Sequence, residues 1–291
     1  MAGGAMLDEW AALAGKVAVV TGGAGGLGLP ITEDLVRAGM PVAVCDRDPE
    51  AVERVAGLLG DLGADSLVEC FDVRESARLA TFFDHVDDRF GRLDVLVNVP
   101  GGSFRKPALE LTPNGVVAVT RENFTHVFEA SQLAARRMRD QRSGGSIVTV
   151  STIEAHRAMP EMAIYGAMKA AVEHLTRTLA VEWGPMGIRV NAVAPDHFPT
   201  ANASRFTWGQ RVGEGLLEDR IVIPLGRKGT GRELSACVLF LASDLSSYVT
   251  GTTLHVDGGT LAAAGWMRWP DGYDNMIPQP VLDFLEPAAE P

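Results

Sequence analysis

The chain has 291 residues, 46% of them hydrophobic and 22% charged, the balance of a globular protein. Its formal net charge of −11 argues against a nucleic-acid partner and against a basic membrane-surface patch. Three cysteines, Cys45, Cys70 and Cys237, lie far apart with no C-x-x-C and no zinc-site spacing, so buried thiols in a reducing compartment are expected, and no metal. Residues 1–14 carry acids but no basic n-region, and no apolar run reaches the roughly 18 residues of a membrane span. The expectation is a cytoplasmic protein.

In chain order, the β-branched run at 16–21, Lys-Val-Ala-Val-Val-Thr, reads as a buried strand. It flows into Gly22-Gly-Ala-Gly-Gly26-Leu27-Gly28 and then a helical stretch through Val36. Strand, glycine turn and helix together are a dinucleotide-binding opening. Glycines let the backbone approach a pyrophosphate, and the helix N-terminus supplies N–H donors. The second strand, 41–46, ends in Asp46. Its distance from Gly28 is close to the roughly 20 residues expected of a ribose-binding carboxylate. Helices are expected at 50–62 and 75–90, on either side of a third strand at 66–73 that ends in Asp72-Val73. A fourth strand, 93–98, breaks at Asn98 into Val-Pro100-Gly101-Gly102. Then come a helix at 123–138, a fifth strand at 145–152, a helix at 165–183, a sixth strand at 188–195, a helix at 234–242 and a seventh strand at 253–257. Strands alternating with helices predict an α/β fold with a doubly wound, mostly parallel seven-stranded sheet of Rossmann type. With no Pro/Ser/Gly-rich linker to divide it, 14–262 reads as one domain, followed by a C-terminal extension at 263–291.

The 165–183 helix carries the candidate chemistry. Tyr165 and Lys169 stand at i and i+4, so they share a helix face. An ammonium beside a phenol favours the phenolate, which tunes the tyrosine to move protons near neutral pH. A surface Tyr and Lys on an amphipathic helix would read the same way in isolation.

Taken together, the motifs resemble the short-chain dehydrogenase/reductase family in its short single-domain form, from about residue 13 to 260. The matching motifs are Thr21-Gly22-x-x-x-Gly26-x-Gly28, Asp72-Val73, Tyr165-x-x-x-Lys169, the Asn191/Pro195/Thr200 segment and Val256-Asp257-Gly258-Gly259. The resemblance implies a catalytic hydroxyl ahead of the tyrosine, at Thr152, with Ser151 as the alternative. It also implies a fourth catalytic member, Asn123, supporting a water that relays the proton. Cofactor contacts would come from Gly22, Gly26, Leu27, Gly28, Asp46, Asp72, Val73, Asn98, Gly101, Tyr165, Lys169, Pro195 and Thr200. Two positions depart from the pattern: Pro100 has no N–H to donate, and Asp196 stands where a glycine is usual.

The implied reaction is reversible hydride transfer between NAD(H) and a secondary alcohol or ketone. Asp46 selects NAD over NADP, because a 2′-phosphate would meet a like charge. Arg47 is the counter-argument, with Asp48 as its nearby partner. Substrate contacts are expected from Phe104, His156, His197 and Phe198, together with Arg105, Met159, Phe206 and Trp208. The aromatics point to a cyclic or otherwise apolar substrate. Residues 199–223 are expected to form a lid. A homo-oligomer, a tetramer, is expected from the family and from Trp266, Met267 and Trp269 in the tail. Three rival readings are weighed. An extended-type dehydratase or epimerase needs a larger C-terminal domain. A related enoyl reductase spaces its Tyr and Lys further apart. A cofactor-binding sensor without turnover has no need of either residue.

Overall fold

The computed structural model describes residues 2–200, 220–269 and 272–275. Its centre is a seven-stranded, wholly parallel sheet in the order β3-β2-β1-β4-β5-β6-β7. The strands are β1 (Ala18–Thr21), β2 (Val42–Asp46), β3 (Ser66–Cys70), β4 (Val95–Asn98), β5 (Gly145–Val150), β6 (Ile188–Pro195) and β7 (Thr253–Val256). This is the Rossmann-type architecture expected from the alternation of elements. The strand order reverses between β1 and β4, which are paired from Ala18↔Val95 to Thr21↔Asn98. A crevice therefore opens beyond the carboxyl ends of these two strands, where such sheets bind ligands.

The period-2 alternation of the strands sorts them onto two cores. Ala18, Val20, Val42, Val44, Val95 and Val97 face one cluster, which Ile31, Leu35, Leu234 and Val238 complete. Those side chains belong to α2 (Gly28–Arg37) and to α8 (Gly231–Ala242). The intervening Val19, Ala43, Cys45 and Leu96 face the other cluster with Leu79, Phe82, Ala134, Met138 and Leu179. These come from α4 (Ser76–Phe90), α6 (His126–Gln141) and α7 (Ala163–Trp183). Cys45 is fully buried, and burial pushes its thiol far up. Cys70, by contrast, is exposed. Among the described residues no helix is long and apolar enough to cross a membrane.

Several local elements differ from the sequence reading. An N-terminal helix, α1 (Ala2–Ala11), precedes the sheet. The helix expected at 123–138 is one segment of a longer run: α5 (Pro113–Thr120), a π-helical turn (Arg121–Thr125) and then α6. Thr112 accepts a hydrogen bond from Gly115 N–H and Pro113 occupies the first turn; both are start signals legible in the sequence. The π-turn leaves no propensity signature. After β7, a short helix, α9 (Thr260–Ala263), leads to an antiparallel pair, β8 (Met267–Trp269) and β9 (Gly272–Asp274). Most of the expected lid, with Phe206 and Trp208, lies outside the described residues, as does the tail beyond 275.

Candidate active site

The site is built at the crevice, from loops that follow β1, β4 and β5 and from the first turns of α7. After β1, Gly22 adopts φ +65°, and a Cβ there would fall 2.8 Å from Pro100 Cγ. The Pro100 that breaks the family pattern is therefore packed against the first glycine of the turn. A Cβ on Gly28 would lie 2.0 Å from Gly22 O, so the last glycine closes the turn onto the first. Gly26 has φ +51° and open space where a Cβ would be. No side chain caps α2 at Leu27. An approachable backbone at an uncapped helix N-terminus is what a pyrophosphate requires. Asp46 sits across this turn. It accepts hydrogen bonds from Ala24 N–H at 3.3 Å and from Asp48 N–H at 3.2 Å.

Beyond β4 the chain is pinned by Asn123 in the π-turn. Its Nδ2 donates to Gly102 O and Val119 O, both at 2.8 Å, while its Oδ1 accepts from Gly102 N–H at 3.1 Å. Both amide protons are thus given to backbone, and the visible work of Asn123 is to hold the loop after β4. A Cβ on Gly101 would stand 2.6 Å from Lys169 Nζ and 3.1 Å from Asn123 Oδ1. A side chain there would have to push the lysine aside. The side chain of Asn98 is not offered to the crevice. It is buried against Ser131 Oγ at 3.2 Å and Thr149 Oγ1 at 3.4 Å. That side chain ties β4 to its neighbours.

Thr152, Tyr165 and Lys169 come together. The Thr152 hydroxyl is close enough to the Tyr165 phenol to lower its proton affinity, and it accepts from Glu154 N–H at 3.3 Å. Lys169 is 2% exposed. Its Nζ donates to Val150 O at 2.9 Å and lies 5.9 Å from the Tyr165 ring centroid. Burial lowers the Lys169 ammonium to about 8, with Glu122 and Glu173 acting against the fall. Burial raises the Tyr165 phenol to about 12, opposed by the Thr152 hydroxyl and helped by Glu154 and Asp196. Against the expected depression by Lys169, desolvation is the largest influence on the phenol and moves it up.

The second hydroxyl, Ser151, is committed elsewhere. It donates to Glu173 Oε1 at 2.8 Å. Glu173 is 2% exposed, one turn beyond Lys169, and its other oxygen meets His156 Nε2 at 2.8 Å. His156 Nε2 also lies 3.1 Å from His255 Nε2. His156, expected as a substrate residue, is thus the partner of a buried carboxylate. Glu173 is not among the residues the sequence motifs single out, although the i, i+4, i+8 spacing of Tyr165, Lys169 and Glu173 puts all three on one face.

The other expected substrate residues divide. Phe104 is 43% exposed and stays available. Phe198 is half-buried and packs against the first core cluster, and a Cβ on Gly229 would fall 2.6 Å from its ring. His197 takes φ +54°. Its Nε2 is 3.0 Å from Asp196 Oδ2, but at an angle that leaves this buried nitrogen without a hydrogen bond among the described residues. Arg105 is paired with Glu161 at 2.8 Å. Asp196, in place of the usual glycine, binds Arg157 at 3.1 Å. Pro195 ends β6, and Thr200 is the last described residue before 220.

At the far end of the crevice, Asp72 and Val73 follow β3. The Arg74 guanidinium, bonded to both Asp72 oxygens, holds that carboxyl below its usual range against the opposing effect of burial. Arg47 is paired with Glu122 at 3.2 Å rather than with Asp48.

The family model described as enoyl-(acyl carrier protein) reductase matches residues 22–260. A probable 2,4-dienoyl-CoA reductase of Bacillus subtilis is 36% identical, over 84% of this chain and 96% of its own length. A gluconate 5-dehydrogenase of Burkholderia cenocepacia, solved with NADP and tartrate, is 33% identical at TM-score 0.80, covering 89% of this chain and 99% of the other. A 7α-hydroxysteroid dehydrogenase, solved with NADH and 7-oxo glycochenodeoxycholic acid, is 30% identical at TM-score 0.80, covering 87% and 96%. With these similarities added to the parallel sheet, the glycine turn and the Thr152–Tyr165–Lys169 cluster, the chain belongs to the short-chain dehydrogenase/reductase family of oxidoreductases.

Proposed function

We propose that the protein transfers a hydride reversibly between NAD(H) and a secondary alcohol or ketone, with a cyclic or otherwise apolar body. The observation that carries this reading is the gathering of the Thr152 hydroxyl, the Tyr165 phenol and a buried Lys169 at the crevice the sheet order creates. Two hydroxyls side by side can hold one carbonyl oxygen. Tyr165 gives that oxygen its proton on reduction and takes it back on oxidation, while Thr152 orients it. Lys169 sits between Val150 O and the Gly101 backbone, where its ammonium would hold a ribose when the cofactor is bound and faces the phenol. Asn123 keeps Gly101 and Gly102 in place, and Glu173 anchors Ser151, the residue before Thr152. When bound, the nicotinamide supplies or accepts the hydride, and the protein positions and polarises.

Gly22, Gly26, Leu27 and Gly28 would hold the pyrophosphate, and Asp46 the ribose hydroxyls. Asp46 favours NAD, since a 2′-phosphate would bring like charges together in a partly desolvated site. Solved relatives carry either form of the cofactor, so the choice rests on this residue. Comparing kcat/KM for NADH and NADPH on one ketone tests it. An NADPH preference overturns the assignment, and Asp46→Ala should move the ratio toward NADPH.

The enoyl-reductase description of the matching family model and the dienoyl-CoA reductase relative favour a second reading, reduction of a carbon–carbon double bond conjugated to a thioester. A panel holding cyclic ketones and a 2,4-dienoyl thioester separates the two. Turnover of the thioester alone would replace the ketone reading, and binding of cofactor without turnover of any compound would point to a sensor.

A homo-oligomer is part of the same reading. A groove of about 250 Å³ runs between α6 and α7, where Phe128, Leu179, Trp183 and Met186 alternate with Arg136, Arg139 and Glu182. Val181 is 78% exposed on α7. Sedimentation at micromolar concentration should find a tetramer, and a monomer would refute it.

A further inference from the structure

We propose that Glu122 is a specificity-determining residue for the cofactor. By engaging Arg47 it keeps that guanidinium from reading a ribose 2′-phosphate. This rests on the NAD reading above.

Arg47 directly follows the ribose-side carboxylate Asp46. A guanidinium there has the fork geometry and the reach to bind a phosphate on the ribose. In this protein its Nη1 is instead 3.2 Å from Glu122 Oε1. The other carboxylate oxygen of Glu122 is 3.2 Å from Arg74 Nη1. Arg74 is itself bonded through Nε to both oxygens of Asp72. The chain Arg47–Glu122–Arg74–Asp72 thus joins the ends of β2 and β3 to the π-turn across the end of the crevice where Asp46 lies.

The partners differ in freedom. Arg47 has a side chain 55% exposed, against 21% for Glu122. Glu122 stands in the π-turn immediately before Asn123, whose amide is bonded three times to backbone. A Cβ on Gly102 would come within 3.2 Å of Glu122 Oε1, so the loop fits closely against that carboxylate. Arg47 is therefore the mobile member of the pair and Glu122 its fixed receptor. Asp46, Asp72 and Glu122 are three carboxylates facing two guanidiniums, which leaves the region negative overall. A 2′-phosphate entering there would meet that charge and an arginine already occupied. Neutralising Glu122 removes both obstacles, while Arg74 keeps Asp72.

Calorimetry with two fragments differing only in the 2′-phosphate tests this without turnover: adenosine 5′-monophosphate and adenosine 2′,5′-bisphosphate. Glu122→Gln should raise the affinity ratio of bisphosphate to monophosphate about tenfold at low salt, and less at high salt. Glu122→Asp, whose shorter side chain draws the carboxylate away from Arg47, should move the ratio in the same direction and serves if the first variant folds poorly. Arg47→Ala should change the ratio less than about twofold in the natural protein, yet abolish the gain in the Glu122→Gln background. A ratio that stays within about twofold in both Glu122 variants overturns the inference, as does a large loss from Arg47→Ala alone. If the natural protein binds the bisphosphate more tightly, the NAD reading falls and the inference with it. If it favours the monophosphate and only the Glu122 variants fail to respond, the NAD reading stands alone.

Discussion

The two ends of the crevice use charge in opposite ways. At the adenosine end, Arg47, Arg74, Asp72 and Glu122 are partly exposed and satisfied by one another. At the reacting end, Lys169 and Glu173 are each 2% exposed and lie on one helix face without touching. Lys169 donates to a carbonyl, and Glu173 accepts from Ser151 and meets His156. The same residue types therefore do different work. Water screens the first set, so its members act by reach and sign. Desolvation governs the second, so Lys169 acts through a lowered proton affinity and Glu173 as a buried acceptor beside it.

The sharpest way to break the contrast is at the phenol. Tyr165→Phe deletes one hydroxyl and keeps the ring. Activity should fall by about 10²–10⁴-fold, while dinucleotide binding, followed by fluorescence or calorimetry, stays close to the natural value. Retention of a tenth of the activity would assign the proton to another group.

Lys169→Met should separate function from stability. Its ammonium titrates at about 8 in the fold against 10.5 for the free side chain, so burying the charge costs stability. Between those two values the unfolded chain binds more protons, and stability rises with pH. Below about 8 both states are charged and the full cost applies. The variant should lose turnover yet unfold at higher denaturant concentration at pH 7, by about 1–3 kcal/mol. That margin should shrink as pH rises from 8 toward 10.5. A variant less stable than the natural protein at pH 7 would mean that the Val150 carbonyl bond outweighs desolvation.

Gly101→Ala places a methyl 2.6 Å from Lys169 Nζ. Overpacking of this kind costs about 1–3 kcal/mol, and the displaced amine should reduce kcat about tenfold. An unchanged melting temperature and rate would show that the loop after β4 can yield. The smallest effect should come from Glu173→Gln, which keeps hydrogen-bonding capacity toward Ser151 and His156 but removes one of the two carboxylates that hold the Lys169 affinity up. The kcat should fall only a few-fold, and the pH–rate limb governed by Lys169 should move to lower pH. A limb that stays in place would leave Glu173 with an anchoring role alone.

The contrast also explains what was legible in the sequence. All seven strands, the glycine turn and the Tyr165/Lys169 face could be read because each is a local pattern: β-branched runs, backbone needs met only by glycine, an i, i+4 spacing. The charge chain from Arg47 to Asp72 could not be read. Arg47 and Glu122 are remote from each other along the chain, and only the sheet order brings them together. His156 likewise resembled a pocket residue until its contact with Glu173 appeared. Helix α5 was legible in its Thr112-Pro113 start, which the sequence reading passed over. Helix α1 offered little, since it has no acid in its first turn and no base in its last.

The strand order has a further consequence, for synthesis and folding. β1, β2 and β3 lie side by side in the sheet and are complete once the chain has been made as far as Cys70. A ribosome-bound chain of that length already holds the glycine turn and Asp46. Thr152, Tyr165 and Lys169 arrive later, on the β5–α7 segment, and β1 has an open edge until β4 pairs with it. Parallel pairings between distant segments form slowly, so the nucleotide half of the crevice precedes the reacting half. The Gly22–Pro100 and Gly101–Lys169 contacts are the joints at which the early and late halves lock. Pulse-labelled hydrogen exchange should register protection at Val19 and Ala43 before it does at Val190.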